Sequence, residues 1–207
     1  LNNSLFLKDF KNQRINEFYK MVNQGKIKKY FDYNFQINCN IFVKEVYKYL
    51  FLKDFKNNQE FEETYTKFGF TKYMLLSMFA FYYNLQKKEL EKFKIQDLHV
   101  FLFRYVGTGK YKNKHNQGIG SPASQSQIIE NLQKLKIINQ SHQNCFFDEK
   151  VENMIMLLNK KLYDPDLPFR IEEWRYLEFE EAKEKIDKYI KTIFIKQKVK
   201  NKFITKP

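Results

Sequence analysis

Cysteine, glycine, proline and arginine are all scarce in this chain of 207 residues, and each shortage removes a class of protein. Two cysteines, Cys39 and Cys145, cannot build a disulfide framework, so a reducing interior compartment is the default. Six glycines and four prolines argue against collagen, Gly-rich linkers and turn-dense all-β architectures. The longest apolar run, Tyr73 to Tyr83, has 11 residues. A membrane span needs roughly 20, so this run reads as a buried helix and no membrane partner is expected. No signal peptide is visible, and the opening Leu1-Asn2-Asn3-Ser4, without a Met, reads as a fragment of a longer chain.

Apolar material is plentiful: hydrophobic residues make up 43% and aromatics 18%, enough to exclude wholesale disorder. The net charge is +13, which favours phosphate-bearing partners through long-range attraction. That basicity is discounted, because lysine outnumbers arginine 33 to 4 amid abundant Asn, Ile, Phe and Tyr, the signature of an A/T-rich genome. Arginine supplies the planar fork for bidentate phosphate or guanine contacts, so its near absence favours weak non-specific DNA contact over base reading.

Along the chain, residues 7–30 read as a basic amphipathic helix, Asn34–Asn40 as a loop, Ile41–Phe55 as a second helix, and Thr71 as the cap of a third. Lys87–Lys94 suits a short strand or a helical turn. The spacing predicts helices over 95–106 and 122–136, the second opened by Ser121-Pro122, and a hairpin over 137–147. This is the order of a winged helix, with a longer helix-to-helix loop than usual. A second copy is expected from the helical stripe beginning at Val151, a helix or strand at 169–177, a helix over 179–192 and a hairpin over 193–205. The expected fold is thus mainly α with small β-hairpins (α+β), built as tandem winged helix-turn-helix domains. Residues 1–37 form an N-terminal basic helix or linker, 38–150 the first domain and 151–207 the second.

Motifs for chemistry are weak. Gly107-Thr108-Gly109-Lys110 lacks the spacing of a phosphate loop, and Gly118-Ile119-Gly120-Ser121-Pro122-Ala123 follows a hydrophilic loop instead of a strand. His142 and Cys145 have a spacing zinc could use, without the other two ligands of a structural site. The acids between Asp164 and Glu184 fit solvated helix faces better than a general acid–base pair. No catalytic residue, cofactor or metal is expected, and the chain is read as no enzyme. Three polar and basic groups remain as candidate nucleic-acid or partner-binding residues: the loop Lys110, Lys112, Lys114 and His115; the helix positions Gln125, Gln127, Asn131 and Lys134; and the tail Lys196, Lys198, Lys200 and Lys202. Trp174 reads as a core anchor.

The segments SPASQSQIIENLQKLKIINQSHQNCFF (121–147) and FEEAKEKIDKYIKTIFIKQKVKNKFIT (179–205) resemble the C-terminal half of the Stn subunit of the CST (Ctc–Stn–Ten) telomere complex, in the ciliate form that belongs to the telomerase holoenzyme. The resemblance spans roughly residues 38–207. It implies a non-enzymatic, nuclear, telomeric subunit with Ctc and Ten as companions, docking toward DNA polymerase alpha–primase to support C-strand synthesis. Alternatives are a sequence-tolerant DNA-binding winged helix, or an assembly subunit of transcription or trafficking machinery.

Overall fold

A computed structural model describes residues 2–106 and 118–204, with side chains from residue 11 onward. Helix α1 runs from Asn2 to Asn38 and passes through a single π-turn at Cys39–Val43 into α2, Lys44–Phe51. Asn34–Asn40, expected as a loop, is therefore helical. Its polar composition hides a buried stripe, Ile27, Phe31, Phe35, Cys39 and Val43, one residue every four. Asn34 and Asn38 donate their side-chain amides to the carbonyls of Tyr30 and Asn34, at 2.9 and 2.8 Å, and so do not compete with the helix. Steps of four residues drift forward by about 40° each on a helix of 3.6 residues per turn. The wider π-turn takes up an extra residue, so that Val46, Tyr47 and Phe51 of α2 still face the interior.

Helices α3 (Asn58–Phe68) and α4 (Lys72–Lys87) begin at side-chain caps, Asn57 accepting from the Glu60 amide and Thr71 from that of Met74. α5 (Ile95–Phe103) and α6 (Pro122–Lys134) follow, and then a two-stranded antiparallel sheet of β1 (Ile138–Ser141) and β2 (Asn144–Phe147). Ile138 faces Phe147, and Ser141 faces Asn144. Between α4 and α5, Phe93 makes an isolated antiparallel bridge to Cys145. The chain closes with α7 (Lys150–Leu157), α8 (Leu167–Arg175) and α9 (Phe179–Ile204). Among the described residues the protein is mainly helical with one small hairpin.

The expected second hairpin at 193–205 is corrected: 193–204 is helix. Ile193, Phe194 and Ile195 have high strand propensity, yet Ile186, Ile190, Ile193 and Gln197 carry a helical phase straight through them. No Gly or Pro stands between Ile195 and Phe203 to turn the chain.

One apolar core joins the described elements, from Ile27 and Phe31 of α1 to Ile193 and Phe194 of α9. Trp174 of α8, expected as a core anchor, is half-buried at the edge of the core and packs against Phe31 and Tyr189 with ring centroids at 6.0 and 5.4 Å. α4 ends in a Schellman motif: the Leu90 amide reaches the Leu85 carbonyl and the Glu89 amide that of Gln86. This requires Glu89 to hold φ +55°, a conformation only glycine adopts freely. Glu89 is exposed, so Glu89→Gly should stabilise the protein by about 0.5–1 kcal/mol, read as a higher midpoint in urea. An unchanged or lower midpoint would contradict the left-handed assignment.

Candidate docking surface

Of the twelve candidate residues, Lys110, Lys112, Lys114 and His115 lie outside the described residues. The four on α6 do not form a common reading face. Gln125 is buried and donates to the Gly120 carbonyl at 3.2 Å. Asn131 is half-buried, its amide 3.8 Å from the Met74 sulfur, and it accepts from Gln127 at 2.7 Å. Only Gln127 and Lys134 are fully exposed, with Glu130 between them on the same face. A carboxylate in that position repels phosphate and offsets the positive charge of Lys134.

The Gly118-Ile119-Gly120 turn has a structural reason. Gly118 holds φ +60°, and a Cβ there would sit 2.5 Å from the Leu102 carbonyl oxygen. The next amide, Ile119, bonds to that same carbonyl at 2.8 Å. The two glycines thus let the chain close on the end of α5, and buried Ile119 plugs the core.

His142 is exposed at the hairpin tip, while Cys145 is buried beside Phe93, its thiol pushed up by burial. Among the described residues no three His, Cys, Asp or Glu side chains gather in a way that could hold a metal ion. Several acids of the Asp164–Glu184 stretch are occupied. Asp164 takes the Tyr189 hydroxyl and the Arg170 guanidinium, Glu172 pairs with Arg175, and Glu181 with Lys185. No described helix is long and apolar enough to cross a membrane.

The tail lysines divide. Lys200 donates to the carbonyls of Met156 and Leu158 at 3.1 and 2.9 Å, closing the C-terminal end of α7. Desolvation, with the charge of Lys160 beside it, holds its ammonium below the usual lysine value. Lys200 is thus a structural tie between α9 and the end of α7. Lys196, Lys198 and Lys202 are exposed. Between them, on the side of α9 opposite Ile193, Gln197 and Asn201, stand Ile195, Val199 and Phe203, exposed by 50, 52 and 74%. Their spacing of four residues aligns them in one ridge along the outer face. No acid occurs from Lys188 to the end of the helix.

The result is a helix with two working faces, one locked to the body and one presenting an apolar ridge among lysines. The ridge was missed in the sequence because a hairpin would have split Ile195 and Phe203 between two strands. Comparison with protein-family models, curated proteins and solved structures finds no match to this chain. The surface has to be interpreted from its own chemistry. Ordinary soluble surface scatters its large apolar residues singly, whereas a continuous row flanked by like charge suits a partner that supplies both apolar cover and acid.

Proposed function

We propose that this protein is a non-enzymatic docking module that engages another protein through the outer face of α9. The observation that carries this reading is the ridge Ile195–Val199–Phe203, exposed on a helix whose other side is fully packed. Its specific form is a CST-type telomere subunit of the nucleus, with Ctc, Ten and the telomerase holoenzyme as companions and DNA polymerase alpha–primase as the docked partner. Support for that form comes from the resemblance of 121–147 and from the succession α4, the Phe93 bridge, α5, α6 and β1–β2, the order of one winged helix. The other segment of the resemblance, 179–205, lends no wing.

The test is an anisotropy titration of the 207-residue chain against purified DNA polymerase alpha–primase and, separately, against a DNA duplex. The docking reading expects saturable binding to the polymerase that Val199→Glu weakens at least tenfold, since it sets a carboxylate in the middle of the ridge. Duplex binding with a log–log salt slope near about −3, and none to the polymerase, would replace it with the DNA-binding alternative. Polymerase binding that ignores Val199→Glu would remove α9 as the docking face.

A further inference from the structure

We infer that the groove between the end of α4 and α5 is a second docking site, shaped for a short acidic peptide segment that carries a large apolar anchor. The groove has a volume of about 600 Å³, within the range of sites that enclose side chains or small ligands. Phe81, Phe93 and Tyr105 form its buried floor, and Leu90 and Val100 stand at its walls, 46 and 49% exposed. The concavity is therefore apolar and open. Such a site gains by receiving a hydrophobic side chain and losing water.

Charge identifies the rest of the occupant. Lys88, Lys92 and Arg104 line the rim, all exposed, and none makes an ion pair among the described residues. The one acid there, Asp97, is engaged in capping α5, its carboxylate accepting from the Lys94 amide at 2.9 Å. Lys92 also lines the adjacent groove with Glu91, Asp148, Glu149 and Glu152. The positive side of this apolar hollow is therefore that of Lys88 and Arg104, which complements a hydrophobic anchor flanked by Asp or Glu. The neighbouring segment 107–117 does not meet this description, because it holds three lysines, a histidine and no acid. The acids must therefore come from a separate polypeptide. Single-stranded nucleic acid would bring negative charge too, but it needs aromatic faces on which bases can stack. The exposed walls, Leu90 and Val100, are aliphatic; of the lining rings, Phe81, Phe93 and Tyr105 are buried in the floor, and half-buried Phe101 is packed against Phe81 and Tyr105 at 5.2 and 5.9 Å.

A further constraint sets the direction of the occupant. Leu90 is a ridge shared with a neighbouring groove of about 540 Å³, whose rim carries Glu91, Asp148, Glu149 and Glu152. An acidic segment that crossed Leu90 would meet like charge. Its acids must therefore stay on the side of Lys88 and Arg104, and only neutral or basic residues can extend beyond.

Selection of a randomised phage-displayed peptide library against the 207-residue chain tests this. Enriched peptides are expected to combine a Leu, Phe or Trp with Asp or Glu clustered on one side of it. Affinity should fall at least tenfold with Val100→Glu, and similarly with Lys88→Glu plus Arg104→Glu. A peptide with its acids changed to Lys should regain binding to the charge-reversed variant. All three positions are at the surface, and circular dichroism melting confirms that the variants remain folded. Enrichment without acids, or binding unchanged by Val100→Glu, would overturn the proposal. Displacement of the peptides by single-stranded oligonucleotide better than by free acidic peptide would instead assign the groove to nucleic acid. Val199→Glu on α9 should leave these peptides unaffected, which keeps this result separate from that for the outer face of α9.

Discussion

Replacing Tyr47 with alanine is expected to lower the stability by about 4 kcal/mol, a large share of the 5–15 kcal/mol that holds a domain together. Tyr47 is completely buried and lies at the centre of an aromatic cluster, with Phe51, Phe61 and Phe70 at ring-centroid distances of 4.9, 5.4 and 5.4 Å. Its hydroxyl donates to the Leu135 carbonyl at 2.8 Å, just past the end of α6. One side chain thus fills the space between α2 and α3 and fastens both to the helix that precedes the hairpin. Tyr47→Phe keeps the ring and strands only the carbonyl, so it should cost about 1–2 kcal/mol. Urea unfolding of both variants separates packing from hydrogen bonding. Equal losses would assign the effect to the hydroxyl, and a loss below about 1 kcal/mol for alanine would show that the cluster is not packed as described.

The same residue gives the sign of an alkaline transition. Burial, and secondarily the charges of Asp54 and Asp148, push the Tyr47 phenol well above its ordinary value. The folded state then retains a proton that the unfolded chain releases near pH ~10, so stability is complete below that pH and declines as pH rises beyond it. Tyr47→Phe should make the decline shallower.

How much of this was legible beforehand depends on what kind of information each segment carries. The stripe Ile128, Ile129, Leu132 and the cap Ser121-Pro122 are local signals, and α6 lies where they place it. The hairpin was readable because its polar tip between Ile138 and Phe147 interrupts two apolar runs. Asn34–Asn40 misled because composition outweighed phase: two buried residues, Phe35 and Cys39, carry the helix through a polar stretch. Residues 193–205 misled for the opposite reason, since β-branched residues suggested strands where tertiary packing required helix. For the candidate site, the exposed lysines of α9 were identifiable from charge alone. That Lys200 closes α7, that Gln125 turns inward, and that Lys88 and Arg104 share one rim are facts of three-dimensional proximity. No spacing rule on a single sequence encodes them.

The basic tail also conceals the second large effect. Gln197 sits in the middle of the lysine-rich run yet is fully buried, and Gln197→Leu is expected to cost about 3 kcal/mol despite gaining apolar surface. Its side-chain oxygen accepts from the Asn159 amide, while its nitrogen donates to the Leu157 carbonyl at 3.3 Å and to Asn201 at 2.6 Å. Asn201 passes the connection on, donating to the Phe42 carbonyl at 2.7 Å and to Glu45 at 2.8 Å. Phe42 belongs to the π-turn, whose widened geometry leaves carbonyls available for side chains. The network therefore joins α7, α9 and the start of α2 in an otherwise apolar interior, where each group left without its partner carries a desolvation cost of about 1–3 kcal/mol. Leucine has the volume but satisfies none of the three. Chemical denaturation should show the loss, and hydrogen exchange should locate it, with amides of the last turns of α9 opening before those of α4. A change within about 0.5 kcal/mol would mean that these groups find other partners and the network is not a structural joint. The consequence reaches the docking face, because Ile195, Val199 and Phe203 are aligned only while the inner side of the same helix is held. Gln197→Leu should therefore weaken binding at α9 without touching a partner, and binding at the α4–α5 groove should stay the same.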